Sequence, residues 1–516
     1  MPDAFDTSLT AAYGFTEPAL VLGAALAGTT PHPEPKVRIP LSMMNRHGLV
    51  AGATGTGKTK TLQLMTEQLS AAGVPVFVAD IKGDLSGLSM PGPRDPRIDS
   101  RAAAVKWDWK PAGAPVEYVS LTGALGVQLR ATVSSFGPLL LAKVLELNET
   151  QASVLSLVFK FCDDQQLPLL DFADLRAVLQ YLTSPDGKPA LAQYGGMSDA
   201  TVGVLLRKMI ELEQQGAEKF FGEPEFDVKD MLHVTSDGRG VVTCLELSDV
   251  QDKPKLFSTF MMWMLAQLYH NLPEAGDLPR PKLVFFFDEA HLLFDDASKA
   301  FLEQVQQVVR LIRSKGVGVY FVTQVPTDVP DDILAQLGHR VQHALRAHTP
   351  DDDKALNATV RTFPRTTLFD LRETLTTLGI GEAAVTILDS RGVPTPVFPV
   401  RLIPPASRMG PLTPDELKSD IQQSDLIKEY GTAVDRESAR EMLAARLAKS
   451  APPAGAPPAP AGPAGRTPMS TGAKIGTAVV AALGTTVART VGRELVRGIF
   501  GMLGGSPGRG TTRSRW

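Results

Sequence analysis

The run Gly52, Ala53, Thr54, Gly55, Thr56, Gly57, Lys58, Thr59 fits the pattern G-x-x-x-x-G-K-[ST] and restricts the possible folds of this chain more than any other feature. The pattern has meaning only between a strand and a helix. His47–Ala51 is a short apolar strand, and Lys60–Ala72 carries helical periodicity. The glycines let backbone N–H groups turn inward as an anion nest without Cβ collisions. The helix that follows adds the positive end of its dipole. Lys58 places a point charge on the β- and γ-phosphates, the Thr59 hydroxyl is expected to ligate Mg²⁺, and Lys60 completes the group expected to contact nucleotide. This is the signature of a loop that binds ATP with Mg²⁺ and hydrolyses it.

Such a loop needs an acidic partner. Leu283 to Phe287 is a run of large apolar residues that ends in Asp288 and Glu289. A buried parallel strand delivers its C-terminal residues beside the phosphates. Asp288 is expected to hold the metal shell and Glu289 to orient and activate the attacking water. The next strand, starting at Gly316, ends in Thr323 and Gln324, and an amide there is placed to contact the γ-phosphate or the lytic water. The letters Asp288, Glu289, Ala290, His291 suggest a DEAH-box helicase. The spacing from Lys58 is too wide for that family and its other motifs are absent, so His291 reads as a helix-start residue.

Strand–helix–strand alternation predicts an α/β fold with a parallel-rich sheet. Residues 1–45 read as a short β segment, with strands at Ala19–Leu26 and Lys36–Leu41. Residues 46–134 and 236–405 read as two parts of one ATPase core. Between them, 135–235 reads as a helical insertion, with helices at Leu139–Phe161, Leu170–Leu182 and Ser198–Gln214 and N-caps at Asp171 and Ser198. Further strands are expected at Val74–Asp80, Gly240–Leu247, Lys282–Asp288, Val317–Thr323 and His339–Ala347, with a closing β segment at Ala384–Ile403. Residues 406–449 read as a helical extension, 450–470 as a Pro/Ala/Gly linker, and 471–503 as a tethered amphipathic helix.

A formal charge of -4 neither requires nor excludes nucleic acid, because totals do not show where charges sit. Cys162 and Cys244 lie among apolar residues with no metal-ligand spacing and read as inert thiols. The N-terminus lacks a basic, then apolar leader, and no run of about 20 uncharged apolar residues occurs, so the expected location is cytoplasmic.

These elements together resemble the HerA/FtsK superfamily, and specifically HerA-like bacterial ATPases of the DUF853 type. The matching segments are Arg46-His47 with the P-loop strand, Val78–Leu88, Leu283–Phe294, Val308–Gln324 and Gly338–Asp352. The resemblance implies a RecA-like P-loop NTPase core, a homo-hexamer, hydrolysis at subunit interfaces and movement on DNA. It also implies an arginine reaching a neighbour's phosphates, for which Arg313 and then Arg46 fit best, ahead of Arg340 and Arg346. Asp80, Lys82 and Asp84 either line the site or meet a neighbouring subunit. The segment before the P-loop is short for the N-terminal barrel of archaeal relatives, which puts docking to a nuclease in doubt. Two other readings stay open: a ring ATPase acting on a protein partner, like type IV secretion ATPases, and a slow nucleotide-gated scaffold.

In the last segment Ile475, Val479, Leu483, Val487, Val491, Leu495 and Ile499 recur every four residues, beside a stripe of small residues and Arg489, Arg493 and Arg497. This helix suits tail–tail association, peripheral contact with the inner membrane face, or docking on its own ring.

Overall fold

The computed structural model describes residues 4–294, 297, 299–347 and 349–450. Twelve strands are present: β1 (Ala19–Ala27), β2 (Thr30–Pro40), β3 (Gly48–Ala51), β4 (Val76–Asp80), β5 (Val116–Ser120), β6 (Val127–Gln128), β7 (Val242–Glu246), β8 (Leu283–Phe287), β9 (Val317–Thr323), β10 (His339–His343), β11 (Glu382–Thr386) and β12 (Phe398–Leu402). They form one sheet in the order β2-β1-β12-β11-β10-β3-β9-β8-β4-β7-β5-β6. From β10 to β6 every neighbouring pair is parallel. The remaining edge, β11, β12, β1 and β2, is antiparallel.

The parallel strands read as unbroken apolar runs because both of their faces are covered. In β8, Leu283, Phe285 and Phe287 point to one core while Val284 and Phe286 point to the other. This is the two-residue period of a strand with no solvent face. The first core joins β8 to the helices Val133–Val144, Glu149–Asp164, Phe172–Thr183, Asp199–Gln214 and Pro254–Asn271, with Phe220, Phe260 and Trp263 at its centre. The helical stretch 135–235 therefore shares a continuous core with the sheet. The second core receives Leu62, Met65 and Leu69 from the helix Lys58–Ala71 and Phe5, Leu9 and Tyr13 from the helix Ala4–Tyr13.

Several expected elements differ from those observed. The N-terminal segment begins with a helix, Ala4–Tyr13, before its two strands. The single helix expected over Leu139–Phe161 is two. Val133–Val144 kinks at Gly137, ahead of Pro138, and Asn148 with Gln151 forms a capping box that starts Glu149–Asp164. Apolar periodicity runs across that joint, so the pattern alone does not reveal the restart. β5 and β6 were not anticipated, being short and, for β5, half-buried at its start. The extension is not one helix. Pro414–Gln423 and Ala439–Ser450 flank a turn, Ile427–Tyr430, whose Tyr430 is buried against Phe226. The closing β segment is two strands, β11 and β12. Asp171 and Ser198 cap their helices as expected. The linker and the amphipathic helix expected after residue 450 lie outside the described residues. No helix among the described residues is long and apolar enough to cross a membrane.

Candidate nucleotide site

β3 is four buried residues held between β9 and β10. As the chain leaves it, the Gly52 N–H donates to the carbonyls of Thr323 (3.2 Å) and Gln324 (3.0 Å), and the Ala53 N–H to that of Ala344 (2.9 Å). The loop is thus pinned to the carboxyl ends of both neighbouring strands. Gly52 has φ 155°, and a Cβ there would lie 2.4 Å from the His343 Cβ. Gly57, at φ 116°, ends the loop, and no side chain among the described residues caps the helix that follows. Its positive end is open to an anion. Thr54 and Gly55 form the exposed tip, Thr56 is buried, and Thr59 and Lys60 are half-buried in the first turn.

The Lys58 ammonium is buried and donates to the Gly52 carbonyl at 2.6 Å and more weakly to that of Ala53 at 3.4 Å. Burial lowers its pKa, while the charges of Glu289 and Asp288 oppose that shift. Asp288 continues β8, next to β4. Its Oδ1 accepts from the Glu289 N–H at 3.0 Å, and its Oδ2 is buried with no hydrogen-bond partner among the described residues. Burial, then the charges of Glu289 and Asp80, push its carboxyl up to about 7. Glu289 sits at φ 46°, in the left-handed region. Its Oε1 is ion-paired with the Lys82 ammonium. Its Oε2 is buried with no hydrogen-bond partner among the described residues, and it lies within ion-pair distance, 3.3 Å, of Nδ1 of His291, the first residue of the short helix His291–Phe294.

Two buried carboxylate oxygens that lack a hydrogen-bond partner among the described residues thus lie within the electrostatic reach of Lys58. Buried polar atoms are normally satisfied, so a pair of exceptions is informative. Carboxylate oxygens of this kind suit a hard divalent cation such as Mg²⁺.

The Gln324 side chain is exposed, whereas its backbone serves the site. Asp328 Oδ2 accepts from the Thr323 hydroxyl (2.6 Å) and from the N–H groups of Val325 (3.0 Å) and Gln324 (3.2 Å), fixing the turn. Arg46 and Arg313 precede β3 and β9, at the end of the sheet opposite the P-loop. Across the seven residues of β9 that is about 20 Å, so neither serves the nucleotide of its own subunit. Burial and the charge of Arg313 lower the pKa of Arg46, whose Nε is buried and unpartnered among the described residues. Arg340 and Arg346 donate to the carbonyls of Thr362 and Thr376.

Three features escaped sequence reasoning. His343, buried at the end of β10, packs on Gly52, and its Nε2 lies 2.8 Å from the Thr61 hydroxyl. Burial and the Lys58 charge lower its pKa to about 4, which keeps it neutral. Asp328 gave no signal, since its role depends on turn geometry. Third, a cavity of about 180 Å³ adjoins the P-loop through Gly57, Lys60 and Thr61 and is walled by Leu64, Ile98, Ile380 and Pro404. At its mouth the Arg101 guanidinium donates to the carbonyls of Ile380 (2.8 Å) and Gly381 (3.0 Å), and the Gly381 N–H donates to that of Thr56 (2.9 Å).

The family model described as Helicase HerA-like C-terminal matches residues 27–508. The chain belongs to this HerA-like family. Among solved structures, it is similar to plasmid coupling protein TrwB in complex with ADP and Mg²⁺, at 15% identity and TM-score 0.50, covering 76% of this chain and 95% of that one. It is also similar to VirB4 of Thermoanaerobacter pseudethanolicus, at 14% identity and TM-score 0.46, covering 78% and 99%. A comparison with curated proteins finds no significant match. The fold is the RecA-like P-loop NTPase fold, and this HerA-like chain is a P-loop ATPase.

Proposed function

We propose that this HerA-like chain forms a homo-hexamer that couples Mg²⁺-dependent ATP hydrolysis to movement along double-stranded DNA. The observation that carries the hydrolytic part is the pair of buried oxygens, Asp288 Oδ2 and Glu289 Oε2, that have no hydrogen-bond partner among the described residues and lie within the electrostatic reach of Lys58. On this reading the Lys58 ammonium leaves the carbonyls of Gly52 and Ala53 for the β- and γ-phosphates. Those carbonyls hold it in place beforehand, so little reorganisation is needed. Held by Asp288 and Thr59, Mg²⁺ would offset phosphate charge. Glu289 Oε2 takes a proton from the attacking water. The apolar cavity walled by Leu64, Ile98, Ile380 and Pro404 takes the nucleoside base, since it shares Gly57 and Lys60 with the phosphate loop. Arg46 and Arg313, at the far end of β3 and β9, face a neighbour's nucleotide in the ring, where a guanidinium offsets charge developing on the γ-phosphate.

The DNA part rests on family membership, and its test is steady-state ATP hydrolysis with and without double-stranded DNA. Stimulation that disappears in Glu289→Gln, with kcat lowered by about 10²–10⁴, supports the motor. Glu289-dependent hydrolysis indifferent to DNA points instead to a protein partner. Nucleotide binding without turnover leaves a gated scaffold.

A further inference from the structure

β4 and β8 are neighbouring parallel strands, with Ala79 opposite Phe287. The loops leaving their carboxyl ends are therefore side by side. One brings Glu289, the other Lys82, and the two side chains form an ion pair. We infer that Lys82 is a positioning residue that restrains turnover: its ammonium pins Glu289, and hydrolysis requires that pair to open. The inference rests on the reading of Glu289 as the proton acceptor for the attacking water.

The two partners are not equally free. The Glu289 side chain is 7% exposed and that of Lys82 is 47% exposed. Glu289 is fixed from its backbone outward: its N–H is held by Asp288 Oδ1, the Ala290 N–H by the Val322 carbonyl, and its own φ is left-handed. A non-glycine residue keeps that conformation only where its surroundings enforce it. The Lys82 backbone is fixed too. The buried Asp80 carboxylate accepts from the N–H groups of Lys82 (3.1 Å), Gly83 (2.8 Å) and Leu85 (2.7 Å), and Gly83 supplies the positive φ the turn needs. The Lys82 side chain, long and half in solvent, is the partner free to move.

The pair also occupies one of the two oxygens Glu289 has to offer. The ammonium on Oε1 holds the carboxylate in one rotation, and with it the direction in which Oε2 faces the attacking water. Lys58 and Lys82 face Asp288 and Glu289, and each lysine feels both carboxylates. A triphosphate at the P-loop adds negative charge beside them. Of the four, Lys82 is the half-exposed member, and so the cation that turns toward the incoming phosphates and releases Glu289. Burial lowers its pKa, but the Glu289 contact and the nearby acids outweigh that and raise it in the paired position.

The test compares full-length wild type, Lys82→Met, Lys82→Arg and Glu289→Gln in steady-state ATP hydrolysis. Lys82→Met is expected to raise kcat about fivefold, the scale of one partly exposed ion pair, with KM for ATP within about twofold. Lys82→Arg, which keeps the pair, is expected to stay near wild type. Unchanged or lower kcat in Lys82→Met would overturn the inference, as would a matching gain in Lys82→Arg. Lys82→Gln gives the same readout should the methionine variant fold poorly. Wild-type turnover in Glu289→Gln would instead remove the reading of Glu289 itself. Abolished turnover there, with no gain in Lys82→Met, would remove only the clamp.

Discussion

Replacing Asp80 with alanine is expected to unfasten the loop beyond β4, and the structure lets the size of the effect be worked out. Three backbone donors lose their acceptor. Leu85 is buried, so its N–H is left unsatisfied at about 1–3 kcal/mol. The N–H groups of Lys82 and Gly83 lie on an accessible turn and can rehydrate, each forfeiting about 1 kcal/mol. One effect runs the other way. Asp80 is buried beside Glu246, whose carboxyl is held up to about 8 by burial and then by the Asp80 charge. Removing one of two neighbouring buried acids returns on the order of 1–2 kcal/mol. The hydrogen-bond losses win, leaving a net destabilisation of about 2 kcal/mol. Asp80→Asn separates the contributions. An amide oxygen on the Oδ1 side still serves Lys82 and Gly83, but its NH₂ then faces the Leu85 N–H, so its loss should be roughly half as large. Urea unfolding at constant m-value measures both variants. An alanine variant as stable as wild type would refute the reasoning, because burial strain would then outweigh the three hydrogen bonds.

The cavity beside the P-loop can be blocked from its rim: Ile380 is 70% exposed, so Ile380→Trp should fold normally. It is expected to raise KM for ATP about tenfold while leaving inhibition by inorganic tripolyphosphate unchanged, and equal loss of both would rule out a base subsite. Glu67 accepts from the N–H groups of Ala406 and Ser407 and from the Ser407 hydroxyl, and burial raises its carboxyl from 4.5 to about 7. A raised acid binds more protons in the folded than in the unfolded chain, so stability should fall as pH rises from 4.5 to 7, by about 3 kcal/mol at most, and then level off. Glu67→Gln should flatten that slope in chemical denaturation across the same range, and an unaltered slope would show that another group carries it.

Much of the site was legible because it is local. The glycines of Gly52–Thr59, set between an apolar strand and a helical run, mark a phosphate loop, and a run such as Leu283–Phe287 ending in Asp288 and Glu289 has little choice but a buried strand with acids at its mouth. The helix interruption at Asn148 was hidden because the apolar period continues across it. β5 was hidden because a half-buried strand at one side of the sheet carries a weak pattern. His343, Asp328 and Arg101 could not be found from their own neighbours in the chain. Each acts on a partner brought alongside by folding or by a tight turn.

The sequence by itself determined the chemistry on offer: a phosphate loop, a lysine and two adjacent carboxylates at the end of an apolar run, all encoded in short segments by residue type and spacing. Tertiary structure decided which groups meet. The sheet order sets β4 beside β8 and so joins Lys82 to Glu289, and it sets β10 beside β3 and so seats His343 against Gly52. It also puts Arg46 and Arg313 at the end of the sheet remote from the phosphates. Strand order is settled by packing two cores at once, a cooperative result of long-range burial that no local pattern carries.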